Sequence, residues 1–265
     1  MSGDWDPAQY ARFRAERQQP FFDLLDLVQP TPGGRAVDLG CGTGELTGHV
    51  HERSAAAETL GVDRSQAMLA ESAQYAGTGL RFERGEIGEF SGEGLNLVFS
   101  NAALQWLPDH ASLFARLART LAPAGQLAVQ VPANHDHPSH KVAHAVARAP
   151  RHARALKGYV REDSVQDPEW YAALLARLGF AEQHVRLQVY LHRLAAPEEV
   201  VEWVKGSLLT DYRVRMSAEE YADYLADYRE RLLAELPDER PYRLTFKRIL
   251  LWGRMGTAAG GEAGA

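Results

Sequence analysis

Residues 37–47 read VDLGCGTGELT: an apolar, strand-like run breaks into three alternate glycines and leaves as a helix. In an open α/β sheet, ligands bind beyond the carboxyl ends of the strands, where strand order reverses. Glycines at such a bend admit unusual backbone angles and let a ligand approach the main chain closely. What the bend lacks narrows the ligand. A dinucleotide fingerprint requires G-x-G-x-x-G, but Glu45 takes the third glycine place counted from Gly40, and Thr47 takes it counted from Gly42. No G-x-x-x-x-G-K-[ST] occurs, which excludes a P-loop. Asp63, at the end of the next strand-like run (LGVDRS), follows Gly40 by 23 residues. An acid about 20 residues on is placed to meet a ribose diol. The bend therefore reads as a site for an adenosine-containing ligand without a pyrophosphate, rather than as a bare turn.

The rest of the chain supplies the sheet. Strand patterns run over RAVDL (35–39), ETLGV (58–62), LRFER (80–84), LNLVFS (95–100) and GQLAVQV (125–131). Helical stretches follow the turn after Gly44 and cover Ser65–Tyr75 and Ala111–Leu121. Strand–helix–strand alternation at this spacing predicts a parallel sheet with helices on both faces. The first 30 residues read as helical, with Pro20 starting or kinking a segment. After Pro132 the pattern changes. Residues 133–165 are polar and rich in His and Arg; 168–180 read as a helix closed by Gly179, and 185–194 as a strand. At least two amphipathic helices occupy 197–236, with Pro197 and Ser217 as start signals, and 242–255 ends the fold as a strand.

Composition bounds the function. The net charge of −6 argues against a dedicated nucleic-acid binder, and the single cysteine precludes an intramolecular disulfide framework. The longest apolar runs fall short of a membrane span, the first residues lack a signal-peptide pattern, and GTAAGGEAGA reads as a disordered tail over 256–265. Metal binding is one reading of His135, His137, His140, His144 and His152, with His140 and His144 four apart, but no carboxylate or cysteine follows at a recognised spacing. A loop joined to a solvated helix is the preferred reading, with no metal expected. Lys141, Arg148, Arg151, Arg154, Lys157 and Arg161 form a basic run without the interleaved aromatics of an RNA surface.

Taken together, VDLGCGTG, GVDRSQAML, RGEIGEF and FSNAALQWLPD resemble the successive motifs of Rossmann-like, class I S-adenosylmethionine-dependent methyltransferases. The resemblance implies a seven-stranded, mostly parallel α/β sheet with a helical cap, and S-adenosyl-L-methionine as cofactor. It implies cofactor contacts from Asp38, Gly40, Cys41, Gly42 and Gly44 at the amino-acid tail, and from Asp63 and Arg64 at the ribose. Met68, Glu86 and Ile87 fall to the adenine, and Ser100, Asn101, Ala102 and Trp106 lie under the methyl donor. Glu86 stands where the class usually has Asp. Cys41 reads as packing, since nothing beside it would stabilise a thiolate.

WDPAQYARFRAER (5–17), NAALQWLPDH (101–110), VQVPANHDHPSH (129–140) and YLHRLAAPEEVVEWVKGS (190–207) are similar to the trans-aconitate methyltransferase family in particular. That likeness implies one methyltransferase domain over 1–255, with a core mainly of 31–131, 168–194 and 242–255 and a cap from 1–25, 133–165 and 197–240. It implies a cytoplasmic enzyme that methylates a carboxylate of a small polycarboxylic acid. A carboxylate, with a pKa of about 4, is already a nucleophile at pH 7, so positioning within ~3–3.5 Å and exclusion of water would suffice without a general base. Lys205 and Arg248 match cations of the family and are implied as anion ligands, while the family's cap arginine is missing and Arg213 or Arg215 would have to substitute for it from a different register; Trp106 and Trp203 would form an apolar floor, and Tyr10 would close over the cofactor. His192 and His135 would serve only if the acceptor were a hydroxyl or amine that needs a base. The chain departs from the family at SLLTDYRVRM, where a Gly-Leu-Arg-Pro stretch is usual, at Gln19 in place of arginine and at Ala133 in place of Asp. These changes leave open another small-molecule acceptor, or binding of the cofactor without transfer. No membrane or nucleic-acid partner is expected.

Overall fold

The computed structural model describes residues 14–257, with side chains from Gln18 onward. Its frame is a seven-stranded sheet in the order β3-β2-β1-β4-β5-β7-β6. The strands are β1 (Arg35–Leu39), β2 (Glu58–Asp63), β3 (Leu80–Arg84), β4 (Leu95–Asn101), β5 (Leu121–Pro132), β6 (Phe180–Leu194) and β7 (Tyr242–Met255). β1 pairs in parallel with β2 and β4, and β4 with β5, while β7 runs antiparallel to β5. Strand order reverses at β1 and β4, so the glycine bend after Leu39 leaves the sheet at its switch point.

By contact the chain divides into two units, with boundaries inside the long strands β6 and β7. A sheet unit comprises Gln18–Pro132, Ser164–Gln188 and the chain from Arg248; a second unit comprises Ala133–Asp163 and Val189–Lys247. In the sheet unit, α1 (Arg14–Leu25) lays Phe21, Leu24 and Leu25 on a face made by Ala36, Leu97, Phe99, Ala128, Leu250 and Trp252. α2 (Thr47–Ser54) follows the glycine bend, and Ser65 caps α3 (Gln66–Ser72) by accepting from Met68 N at 3.3 Å. Asp109 caps α4 (His110–Thr120) by accepting from Ser112 N at 3.1 Å, and α7 (Pro168–Arg177) begins on proline, whose missing N–H costs nothing in a first turn.

The second unit corrects one expectation. Residues 133–165 do not form a loop and a solvated helix: α5 (Pro138–Arg148) buries Val142, Ala143, Val146 and Ala147 in one cluster with Tyr224, Tyr228 and Leu232 of α10 (Ala218–Glu235), and α6 (Pro150–Ala155) follows it. Burial, with Arg161 adding to it, holds His140 down to about 3, and His152 is buried and bonded through Nε2 to Asp227 at 2.7 Å. The histidines mask an ordinary apolar stripe. α8 (Glu198–Lys205) and the short α9 (Thr210–Arg213) complete the unit. α10 opens on a capping box in which Ser217 Oγ accepts from Glu220 N and Glu220 Oε2 accepts from Ser217 N at 2.8 Å, a device worth about 1 kcal/mol.

Among the described residues no helix is long and apolar enough to cross a membrane, and no group of three or more His, Cys, Asp or Glu is placed to hold a metal ion. Tyr10 and most of the expected tail, from residue 258, lie outside the described residues.

Candidate cofactor and acceptor site

The bend is built so that only glycine fits. Gly40 and Gly44 sit at φ 81 and 77, in the left-handed region that side chains avoid. A Cβ on Gly40 would overlap that of Ala103, and one on Gly44 would stand 2.6 Å from the Phe82 ring. Met68 closes on the same bend, its Cε 3.3 Å from where a Gly42 Cβ would be. Gly61 was not singled out by sequence, yet a side chain there would strike Phe82 and come within 3.1 Å of Cys41 Sγ. The bend is thus packed by Ala103 and by β2 and β3, and its Gly40, Cys41, Gly42 and Gly44 amides donate to Val62, Asp63 and Cys41, so what it offers a ligand is close approach to a main chain bare of side chains.

Two acids hold it. Asp63 Oδ2 accepts from Gly42 N at 2.9 Å and its Oδ1 from Ser65 N at 2.8 Å, so one carboxylate ties the bend to the start of α3. Each oxygen keeps a second lone pair for a ligand hydroxyl. Asp38 is 4% exposed and accepts from Thr47 Oγ1 at 2.8 Å. Burial pushes its carboxyl up to about 7, against the lowering by Thr47; the charge of Asp63 adds to the rise. Among the described residues no cation pairs with this acid, and the ammonium of an amino-acid tail would supply a counter-ion for its ionised form. Burial, with Asp38 and Asp63, also pushes the Cys41 thiol up, so it stays a thiol and packs.

The carboxyl ends of β4 and β5 continue the site. Ser100 is fully buried and donates to the Leu39 carbonyl at 2.7 Å, pinning β4 to β1 beside the bend. Ala102 takes φ 54, an uncommon angle for a residue with a Cβ, and its N–H donates to the Gln130 carbonyl at 2.9 Å. Gln105 Nε2 holds the Ala102 carbonyl at 2.7 Å. Within this hydrogen-bonded corner, Asn101 Oδ1, Gln105 Oε1 and both amide ends of Gln130 are buried without a partner among the described residues. Each such atom costs about 1–3 kcal/mol unless a ligand takes it up. Sequence motifs do not single out Gln105, in the turn after β4, or Gln130; for Gln130 the available signal is a glutamine inside an otherwise apolar strand.

The remaining candidates fall as follows. Ile87 is half-buried and within 3.5 Å of the Cβ place at Gly40; Glu86 and Arg64 are exposed, and Trp106 is half-buried in a turn after β4. Arg248 is buried on β7, paired in register with Pro132. In the second unit, Trp203 is 2% exposed and stacked on His192 with ring centroids 4.7 Å apart. Lys205 is ion-paired with Glu202 at 3.1 Å. Arg215 pairs with Asp211 at 3.6 Å and lies over the Tyr159 ring; Arg213 and His135 are exposed.

Comparison with known proteins is consistent with this geometry. A methyltransferase domain model matches residues 37–129. The Bacillus subtilis protein YcgJ superposes with a TM-score of 0.58 over 91% of this chain and 100% of that one, at 16% identity, which speaks to the fold alone. Trans-aconitate 2-methyltransferase of Deinococcus radiodurans is 44% identical over 93% of this chain and 96% of that protein. The Methylobacterium nodulans protein of the same name is 40% identical over 95% and 98%. The glycine cradle and the buried Asp38 fit S-adenosylmethionine, and the chain is an S-adenosylmethionine-dependent methyltransferase that belongs to the trans-aconitate methyltransferase family.

Proposed function

We propose that the acceptor is a carboxylate of a small polycarboxylic acid, with trans-aconitate as the first candidate, and that the product is its methyl ester. The observation that carries this reading is the reach of the likeness: relatives so named match over 93% and 95% of the chain, well beyond the cofactor motifs. When bound, S-adenosylmethionine supplies a methyl group on a sulfonium, an electrophile that an ionised carboxylate can attack directly.

The chain's own residues position and exclude. Asp38 takes the cofactor's ammonium, and Asp63 takes the ribose while fixing the bend through Gly42 and Ser65. Gly40, Cys41, Gly42 and Gly44 offer main chain, Met68, Glu86 and Ile87 border the base, and Asn101, Ala102 and Trp106 border the methyl end. Arg248, on the strand beyond β5, is the sheet unit's cation for an acidic acceptor. Lys205, Arg213 and Arg215 are proposed as anion ligands carried by the second unit, and Trp203 as apolar support. No side chain is assigned to remove a proton, because at pH 7 a carboxylate has none to lose. The 1–255 stretch is proposed to work as one catalytic domain, in the cytoplasm. Purified protein with cofactor and trans-aconitate, cis-aconitate, citrate, isocitrate and longer acids should give a mono-methyl ester by mass spectrometry, fastest from trans-aconitate. Cofactor binding with no ester from any acid would overturn the acceptor and keep the enzyme class.

A further inference from the structure

β5 carries two buried glutamines four residues apart on one face, and the protein treats them oppositely. Gln126 is saturated: its Oε1 accepts from Gln29 N at 2.8 Å and Trp252 Nε1 at 3.0 Å, and its Nε2 donates to the Gln29 carbonyl at 2.7 Å. Gln130 is 1% exposed, and neither its Oε1 nor its Nε2 has a hydrogen-bond partner among the described residues. Buried polar groups are paired almost without exception, and an apolar side chain would fill the same space at lower cost. Packing therefore does not explain Gln130.

Its place does. Phe99, Ala128 and Trp252 are register partners across β4, β5 and β7 and belong to the apolar cluster under α1. Side chains alternate along a strand, so two residues on, the same face presents Asn101, Gln130 and Leu250. Arg248, paired with Pro132, lies one step further on this face and is 8% exposed. The apolar face thus ends, at the carboxyl ends of β4 and β5, in two adjacent amides with a guanidinium one step beyond them. Asn101 Oδ1 in this polar row is also buried and, among the described residues, unpartnered.

The row extends away from the cofactor acids. At roughly 4.8 Å per strand, β5 lies about 10 Å from β1, which carries Asp38, and about 14 Å from β2, which carries Asp63. Gln130 therefore belongs to the acceptor's half of the sheet. Amide and guanidinium donors on one face, with no acid among Asn101, Gln130 and Arg248, suit an anion.

We propose that Gln130 is an acceptor-contacting residue whose amide donates to a carboxylate of the acid being methylated, with Asn101 beside it in the row and Arg248 one step beyond. The assignment rests on the carboxylate reading above. The ligand takes the Nε2 protons, and the Oε1 lone pairs are left to the row's own donors, Asn101 Nδ2 and the Arg248 guanidinium.

The test compares the natural protein with Gln130→Met, which keeps the shape and removes the amide, and Gln130→Glu, which keeps the shape and adds a negative charge. Cofactor Kd, the acid's KM and kcat, and Tm are measured for each. The expected result for Gln130→Met is a cofactor Kd within twofold, a KM raised at least tenfold, a kcat changed less than threefold and a Tm equal or higher. Gln130→Glu should raise KM at least a hundredfold. If Gln130→Met does not fold, Gln130→Asn, which retracts the amide, carries the same KM expectation. A tenfold weaker cofactor Kd would move Gln130 into the cofactor pocket and overturn the proposal; an unchanged KM with a lowered Tm would make it a packing residue. Ester formation by the natural protein with KM unmoved in the variants sinks only this assignment. No ester from any acid sinks the carboxylate reading, and this proposal with it.

Discussion

The carboxyl-end corner of the sheet unit and the tyrosine-lined core of the second unit bury polar atoms on opposite terms. In the second unit Tyr224 donates to the Ala143 carbonyl at 2.9 Å and Tyr228 to the Ser139 carbonyl at 3.1 Å, while Tyr212 accepts from Arg161 N at 3.4 Å. All three rings are fully buried. At the corner, among the described residues, Asn101, Gln105 and Gln130 leave amide atoms orphaned and Asp38 is a buried acid without a cation, while Ala102 is held at a left-handed angle. Saturated polar groups fix a fold. Unsaturated ones, gathered at a switch point, mark where a ligand completes the structure.

The comparison can be broken most severely at Trp203. Trp203→Ala should cost about 3–5 kcal/mol in denaturant unfolding, the usual loss for a buried large aromatic. Cofactor affinity, titrated where the variant is folded, should stay within twofold; a parallel fall in affinity would erase the distinction between the regions. Asp63→Ala tests the opposite corner. It removes the acceptor of two backbone N–H groups, and hydrogen bonds to a charged group are worth about 1.5–3 kcal/mol, so cofactor Kd should rise on the order of 10–100-fold, read by calorimetry.

Asp38 sharpens the contrast through pH. Its carboxyl stands at about 7 in the unliganded protein, and a bound ammonium would bring it down. Cofactor affinity should then climb from pH 6 to 7, by at most about tenfold per unit, and level off above; Asp38→Asn should flatten the profile. Stability has the opposite slope. The folded state holds this proton more tightly than the unfolded chain, so ionisation destabilises the unliganded fold as pH rises from about 4 through 7. Asp38→Asn should consequently raise Tm at pH 8 more than at pH 5. The smallest effect is expected at Tyr224→Phe, about 1 kcal/mol of stability with catalysis unchanged, because it strips one hydrogen bond from the saturated region.

Much of the sheet was legible because its cues are local. RAVDL, ETLGV, LRFER and LNLVFS became β1 to β4 within a residue, and Ser217 announced α10 through its capping box. β5 begins at Leu121, four residues earlier than expected, because pairing of Leu121 with Leu95 extends it through Pro123 and the left-handed Ala124. Pairing, unlike propensity, is not written in a local segment. β6 likewise starts at Phe180, directly after Gly179 at φ 89. α5 and α6 were hidden by their histidines, although Pro138 and Pro150 mark both starts and Val142, Ala143, Val146 and Ala147 supply the stripe. At the site, the glycines and acids were visible through motif spacing. Thr47, Gly61 and Gln130 were not, since what distinguishes each is a neighbour brought from another strand or helix.

The central claim is that catalysis here is positioning of a nucleophile that is already ionised. The most direct measurement is kcat on the best acid, at saturating cofactor and acid, between pH 7 and 8.5, in the natural protein and in His192→Gln. Positioning of an ionised carboxylate leaves kcat flat in both. A kcat that rises through this range with a single ionisation, and loses that rise in His192→Gln, would contradict it and point to an acceptor whose proton must first be removed.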